Sequence, residues 1–170
     1  NNCSYTTAES RFDGKYINNY ACSGELNGQS GARTGIGTIA HEFGHVIGLP
    51  DLYDIDYGQN YEDEATPGAW HIMDGGSYNN DGKTPPNYTI YDKYFLGWKT
   101  PTNPGNTAQT LTLQAAGTSG FQGYQIAASN SLLTATSINT VYYIENRQQS
   151  GWDAGLPGHG LIIWKIQYDE

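Results

Sequence analysis

The residues best suited to chemistry lie in one eleven-residue stretch, HEFGHVIGLPD, at residues 41–51. His41 and His45 are four residues apart, so in a helix their rings project from the same face. Glu42 directly follows the first histidine and completes the pattern H-E-x-x-H, in which two imidazoles bind zinc and the glutamate acts as a general base. A glycine and then Asp51 follow at three-residue intervals. The spacing therefore predicts a metal-dependent hydrolytic site.

The sequence around this motif predicts an amphipathic helix over residues 34–47, with Thr34 as its N-terminal cap. At 100° per residue one broad side is apolar, and it comprises Ile36, Ile39, Ala40, Phe43, Val46 and Ile47. The two histidines and Thr38 fall on the opposite side, with Glu42 at its edge. We expect the apolar side to face a core and the histidines to face a cleft.

A turn directly after the helix selects the third metal ligand. Gly48 favours a left-handed helix end and Pro50 blocks continuation, which brings Asp51 back toward the metal. A catalytic zinc site holds three protein ligands and keeps one position for water. The competing candidates for the third ligand are Glu62, Glu64 and His71. Their segment is loop-like, so Asp51 is preferred; a purely structural helix is the alternative interpretation of the short motif.

Beyond the motif, the pattern changes from loop to β structure. Residues 51–69 predict an acidic loop, and residues 88–98 predict a short helix that ends at Gly97. The expected strands are Thr110–Gln114, Tyr124–Ala128, Val141–Asn146 and Gly160–Tyr168, with a weaker one at Lys15–Cys22. This mixture predicts an α+β fold.

Length and composition limit the possible classes of protein. A length of 170 residues predicts a single domain. We divide it into residues 1–34, residues 35–106 with the helix and the motif, and a β-rich part at residues 107–170. Seventeen acidic against eight basic residues argue against nucleic acid or an anionic membrane as partner. No apolar run reaches about 20 residues, so we expect no membrane span. Cys3 and Cys22 allow either a disulfide or two buried thiols.

Three segments resemble the immune inhibitor A family of metzincin zinc metallopeptidases. HEFGHVIGLPDLYD (residues 41–54) is similar to that family's extended zinc motif, in which an aspartate replaces the third histidine of most metzincins. WHIMDGGSYNNDGKTPP (residues 70–86) resembles its Met-turn segment, and residues 142–169 resemble the block that closes its catalytic domain. The resemblance implies a metzincin-like zincin with a central zinc helix, a loop-rich lower half and a β-rich C-terminal part. Because 40 residues precede His41, we expect a short or incomplete upper sheet subdomain.

The same resemblance implies roles for the site residues. His41, His45 and Asp51 would bind one catalytic zinc ion, Glu42 would act as base and acid, and Met73 would lie beneath the metal. The protein would be a secreted or cell-surface endopeptidase acting on proteins or peptides, made as a latent precursor with a propeptide.

Other interpretations stay open. Tyr78 is a candidate transition-state or pocket residue, against a packed or surface tyrosine. Calcium is a candidate second metal at an acidic group, against a solvated loop; its members are Asp54, Asp56, Glu62, Asp63 and Glu64. Glu145, Asn146 and Arg147 are expected to form a structural ion-pair cluster. The alternative function is a non-catalytic cell-surface or adhesion module that keeps the metallopeptidase fold.

Overall fold

The computed structural model describes residues 3–4, 11–16, 19–28, 30–55, 66–105, 107–127 and 139–168. The chain forms two compact units, one made of Asn1–Pro86 with Ala154–Pro157 and the other of Asn87–Asp153 with Gly158–Glu170. Helices and a small antiparallel sheet together give the α+β mixture that the sequence predicts. Over the ranges described, no helix has the length and apolar character needed to cross a membrane.

The first unit combines very short strands with an eleven-residue helix. Its elements are β1 (Cys3–Ser4), β2 (Arg11–Phe12), β3 (Lys15–Tyr16), β4 (Asn19–Tyr20), helix α1 (Ile36–Val46), 3₁₀ turns at Gly68–Trp70 and Gly75–Tyr78, and the four-residue turn α2 (Asn79–Gly82). β1 pairs with β4 and β2 with β3, both antiparallel. The single strand expected at residues 15–22 is thus wrong, because two short strands occupy that stretch. Cys22 is an exposed free thiol, so both alternatives, a disulfide and two buried thiols, are wrong for this residue.

The N-cap of helix α1 lies one residue later than predicted, at a place of close backbone packing. Its N-cap is Gly35, which makes no side-chain capping bond, so the assignment of Thr34 as cap is wrong. A Cβ on Gly35 would lie 2.5 Å from the carbonyl oxygen of Gly82, and a Cβ on Gly37 would lie 2.0 Å from that of Ser77. Only glycine permits such an approach. The first turn of α1 therefore rests directly on the backbone of residues 77–82.

The apolar side of α1 differs from the expectation. Ile36, Ile39 and Phe43 are 45%, 47% and 52% exposed, whereas Gly37 and Gly44 are buried. The helix thus packs through its glycine positions. The expectation that its apolar side faces a core is wrong for these three large side chains.

The C-terminal end of α1 confirms the predicted turn. Gly48 has φ +107°, a conformation that favours glycine. Its N–H donates to the carbonyl of His45, and the N–H of Leu49 donates to that of Gly44. The chain consequently reverses within a few residues of His45.

The second unit is a three-stranded antiparallel sheet with one short helix. Helix α3 spans Ile90–Phe95, and the strands β5 (Tyr124–Ala127), β6 (Asn139–Arg147) and β7 (Gly160–Tyr168) pair in the order β5-β6-β7. A 3₁₀ turn at Gly151–Gly155 lies between β6 and β7. The predicted helix and the last three predicted strands are confirmed, although Ala128 lies outside the described residues.

The predicted strand at Thr110–Gln114 is wrong. Its alternation of threonine and leucine suits a strand, but most of the segment is exposed. The next residue, Ala115, makes a single bridge to Asn146, whose side-chain amide donates to the carbonyl of Leu113. One bridge and one side-chain bond hold the segment without a ladder of backbone bonds.

Helix α3 begins with a complete capping box. The Thr89 hydroxyl accepts from the N–H of Asp92, and the Asp92 carboxylate accepts from the N–H of Thr89. These two bonds satisfy backbone donors that a helix start otherwise leaves unpaired. The helix then packs Ile90 against Phe121 and Tyr143, in the buried core of this unit.

A fully buried ion network joins β6 to the start of α3. Arg147 donates to Glu145 at 3.1 Å and, through Nε, to Asp153 at 3.0 Å. Glu145 also accepts from the indole N–H of Trp164 at 2.8 Å and the backbone N–H of Ile90 at 3.0 Å. Burial alone would lower the pKa of Arg147, but the two carboxylates outweigh it and raise that pKa. The expected ion-pair cluster is therefore confirmed for Glu145 and Arg147, whereas the side chain of Asn146 bonds Leu113 and Gln148 instead.

We expect Arg147→Met to lower the free energy of unfolding by about 3–5 kcal/mol, because it leaves two buried carboxylates without their cation. Urea unfolding followed by fluorescence measures this change. The control is Lys83→Met, which removes an exposed ion pair with Asp81 at 3.5 Å and should change stability by less than about 0.5 kcal/mol. Equal effects of the two substitutions would contradict the role given to the buried network.

We expect Gly37→Ala to destabilise the protein by about 1–3 kcal/mol, because the added methyl group overlaps the Ser77 carbonyl. Without this overlap, replacing glycine by alanine would stabilise a helix by about 1 kcal/mol. The sign of the change in the free energy of unfolding therefore shows whether steric overlap or helix propensity dominates. Gly28→Ala is the matched control, since a Cβ there meets no atom within 4 Å. A Gly37→Ala variant as stable as the parent would show that the helix can shift without cost.

Candidate metal centre and active site

Helix α1 and the turn after it bring the three predicted metal ligands together. His41 Nε2 lies 3.1 Å from Asp51 Oδ1, and His45 Nε2 lies 3.2 Å from the same oxygen. The ligand atoms of all three side chains lie within 4.8 Å of one another. Within the described ranges this is the one group of three or more histidine, cysteine or acidic side chains arranged in this way.

Both histidine rings are oriented by backbone carbonyls. His41 Nδ1 lies 2.9 Å from the carbonyl oxygen of Ile72, and His45 Nδ1 lies 2.9 Å from that of Leu49. A carbonyl can only accept, so each Nδ1 must donate. In the neutral ring this leaves the lone pair on Nε2, which faces the third ligand. The two carbonyls therefore fix the tautomer that metal binding requires.

The donor set fits a divalent metal ion. Asp51 Oδ1 is buried and has no hydrogen-bond partner among the described residues. Two imidazole lone pairs and a carboxylate oxygen would repel one another at these distances without a cation between them. Two nitrogen ligands and one oxygen ligand also form the set that a catalytic zinc site uses.

The segment around Met73 forms hydrogen bonds with both helix α1 and the loop that carries Asp51. Met73 is fully buried, and its carbonyl accepts from the N–H of Leu52, directly after Asp51, at 2.9 Å. The preceding carbonyl, that of Ile72, holds the ring of His41. Two consecutive carbonyls thus support the first histidine and the loop that follows Asp51, the third predicted ligand.

Glu42 lies on a cleft beside the cluster. The cleft has a volume of about 350 Å³, and its lining residues are Thr38, His41, Glu42, Tyr53, Asp74, Gly75, Ser77 and Tyr78. Glu42 and His41 therefore face the same space, as the helical wheel predicts. Tyr78 is 70% exposed at this cleft and is not a packed residue.

The remaining candidates have different positions. His71 is buried and does not belong to the cluster; its Nδ1 accepts from the N–H of Met73 at 3.0 Å. Asp74 caps the following turn, where its carboxylate accepts from the N–H groups of Gly68 and Gly75. Of the acidic group considered for calcium, Asp54 is described, whereas Asp56, Glu62, Asp63 and Glu64 lie outside the described residues.

Sequence reasoning missed two kinds of contributor. The carbonyls of Ile72 and Leu49 belong to the backbone, so no residue type marks them. Tyr53 lines the cleft, and its hydroxyl donates to Asp51 Oδ2 at 3.1 Å. Its position two residues after Asp51 was the one available signal.

Comparison with known proteins identifies relatives of this site. Residues 12–103 match the family described as Immune inhibitor A peptidase M6, catalytic domain. The chain is 40% identical to Immune inhibitor A of Bacillus thuringiensis subsp. alesti over 63 residues, which cover 36% of this chain and 9% of that protein. It is 29% identical over 113 residues to a protein of Arthroderma benhamiae named "Putative secreted metallopeptidase", covering 58% of this chain and 16% of that one.

A third relative is Pre-pro-metalloprotease PrtV of Vibrio cholerae, 39% identical over 62 residues that cover 35% of this chain and 6% of that protein. The chain thus spans only a small part of the length of these relatives. No solved structure matches it. The family match nevertheless covers more than half of the chain and includes the whole motif of residues 41–51. The chain belongs to the immune inhibitor A peptidase M6 family of metallopeptidases.

Proposed function

We propose that this protein is a secreted zinc-dependent endopeptidase, with His41, His45 and Asp51 as zinc ligands and Glu42 as the general base. The observation that carries the proposal is the convergence of two oriented imidazole nitrogens on a buried carboxylate oxygen that has no hydrogen-bond partner among the described residues. The family supports a peptide bond as the bond that is hydrolysed.

The chemistry divides between the metal and the chain. A zinc ion, when bound, supplies Lewis-acid stabilisation of the scissile carbonyl and lowers the pKa of water, worth several kcal/mol. Glu42 accepts a proton from the attacking water and delivers it to the leaving nitrogen. Its place on the cleft beside His41 supports this role, because a base must reach the water without joining the ligands.

Two further residues have roles in this proposal. Met73 would support a bound metal ion in a metzincin-like arrangement, and its complete burial agrees with this role. Tyr78 contacts the substrate or donates to the developing oxyanion. Its position on the cleft and its exposure of 70% leave its hydroxyl accessible to a bound peptide.

The wider biology is also inferred from relatives. The names of the Arthroderma and Vibrio proteins include "secreted" and "pre-pro", which supports secretion or display at the cell surface and a precursor with a propeptide. Residues 1–170 form a single catalytic domain in this proposal, and proteins or peptides are the substrates.

Glu42→Gln should reduce hydrolysis of a fluorescent casein by about 10²–10⁴-fold, because it removes the base and keeps the shape of the side chain. Zinc should still bind at one ion per chain, measured by metal analysis after dialysis. A variant as active as the parent would contradict the role of Glu42. A parent that binds zinc but cleaves no denatured protein would instead support the non-catalytic module.

Asp51→Ala should weaken zinc binding by more than about 100-fold, since loss of an outer contact alone often costs 10–100-fold. Competition with a chromophoric chelator measures the affinity. Asp81→Asn is the matched control, because Asp81 is exposed, does not belong to the cluster and has a left-handed backbone that asparagine tolerates. Equal zinc affinity in the parent and Asp51→Ala would exclude Asp51 as the third ligand.

A further inference from the structure

The two oxygens of Asp51 have separate surroundings. Oδ1 lies 3.1 and 3.2 Å from the Nε2 atoms of His41 and His45, and Oδ2 accepts a hydrogen bond from the hydroxyl of Tyr53 at 3.1 Å. The Asp51 side chain is 27% exposed and Tyr53 is 38% exposed, so this contact lies at the rim of the cleft.

This division has a consequence for metal binding. A carboxylate can hold a metal ion through one oxygen or through both. A hydrogen bond to Oδ2 favours the one-oxygen arrangement, because it occupies a lone pair and fixes the rotation of the carboxylate. A catalytic site benefits, since one coordination position must stay open to water.

The backbone around Asp51 supports the same arrangement. The N–H of Leu52 donates to the carbonyl of Met73, so the peptide after Asp51 is fixed. The side chain of Asp51 can still rotate on that fixed backbone. Tyr53, one residue further along, restricts this rotation through Oδ2, the oxygen that does not face the histidines.

We propose that Tyr53 is a positioning residue for the metal centre, which holds Asp51 with Oδ1 toward the histidines and Oδ2 away from them. The inference rests on the proposed metal-binding function of this cluster. Tyr53 acts through Asp51 and is not itself a ligand. It should raise metal affinity and keep the coordination number low.

Tyr53→Phe tests this role by removing the hydroxyl and keeping the ring. We expect zinc affinity to fall by roughly 10-fold, the lower end of the range for outer contacts to metal ligands. Competition between the protein and a chromophoric chelator for zinc measures the affinity. The matched control is Tyr78→Phe, at the other tyrosine of the cleft, which should keep the zinc affinity of the parent. Equal affinity in the parent and Tyr53→Phe would overturn the proposal.

A spectroscopic measurement separates positioning from a general structural role. With cobalt(II) in place of zinc, the parent should show the intense visible absorption of a four-coordinate ion. In Tyr53→Phe, Oδ2 is free to join the coordination, so these bands should weaken. Unchanged bands would overturn the positioning role. The metal-free parent and variant should unfold at the same temperature. A clearly lower unfolding temperature for the metal-free variant would overturn the positioning role in favour of a general structural one.

A double-mutant cycle completes the test. In an Asp51→Ala background, Tyr53→Phe should cause no further loss of zinc affinity, because the residue through which it acts is gone. A further loss would overturn the proposal. A parent that binds no zinc contradicts the metal centre itself, whereas a parent that binds zinc as tightly as Tyr53→Phe contradicts only the role of Tyr53.

Discussion

The mutual repulsion of three electron-rich atoms governs this structure. Two imidazole nitrogens and one carboxylate oxygen lie within 4.8 Å of one another, an arrangement that a bound cation would stabilise. The chain holds them there by giving every other polar atom of these side chains a partner. Nδ1 of His41 and Nδ1 of His45 each donate to a backbone carbonyl, and Oδ2 of Asp51 accepts from the hydroxyl of Tyr53. Such outer contacts would align the three side chains for an ion in the proposed metal site.

The segment from residue 71 to residue 82 supports helix α1 through two separate sets of contacts. Near its start, the carbonyls of Ile72 and Met73 bond the first histidine ring and the loop after Asp51. Near its end, the backbone at Ser77 and Gly82 packs against the glycines that open α1. A glycine-rich first turn weakens a helix taken alone. Here the glycines allow the first turn of α1 to pack against the backbone of residues 77–82. This packing fixes the position of the helix, although its first turn has a weak helix propensity.

The sequence predicts most of the site and much of the fold where local geometry decides the outcome. Helix geometry explains why the four-residue spacing places His41 and His45 together and why the helix ends in a left-handed residue at Gly48. The strands β6 and β7 follow from the apolar patterns of their own residues. The errors arise where distant packing decides. The exposure of Phe43 and the loop at residues 110–114 depend on what lies beside them, which no periodicity encodes. The contribution of Tyr53 depends on a hydroxyl reaching a particular oxygen.

The buried network of Arg147 also limits how the second unit can vary. Asp153 accepts from the N–H of Asn87, and Arg147 donates to the carbonyl of Asn87, so groups some 60 positions apart in the chain meet at one residue. A fragment that ends before residue 153 would keep Arg147 and Glu145 but lose Asp153, one of the two carboxylates that pair with Arg147. Residues 107–112, which lie between these anchors and are exposed, should tolerate a change of length better, since doubling a flexible loop costs only about 0.6 kcal/mol. Insertions should therefore be tolerated better in that exposed segment than at Asn87, Arg147 or Asp153.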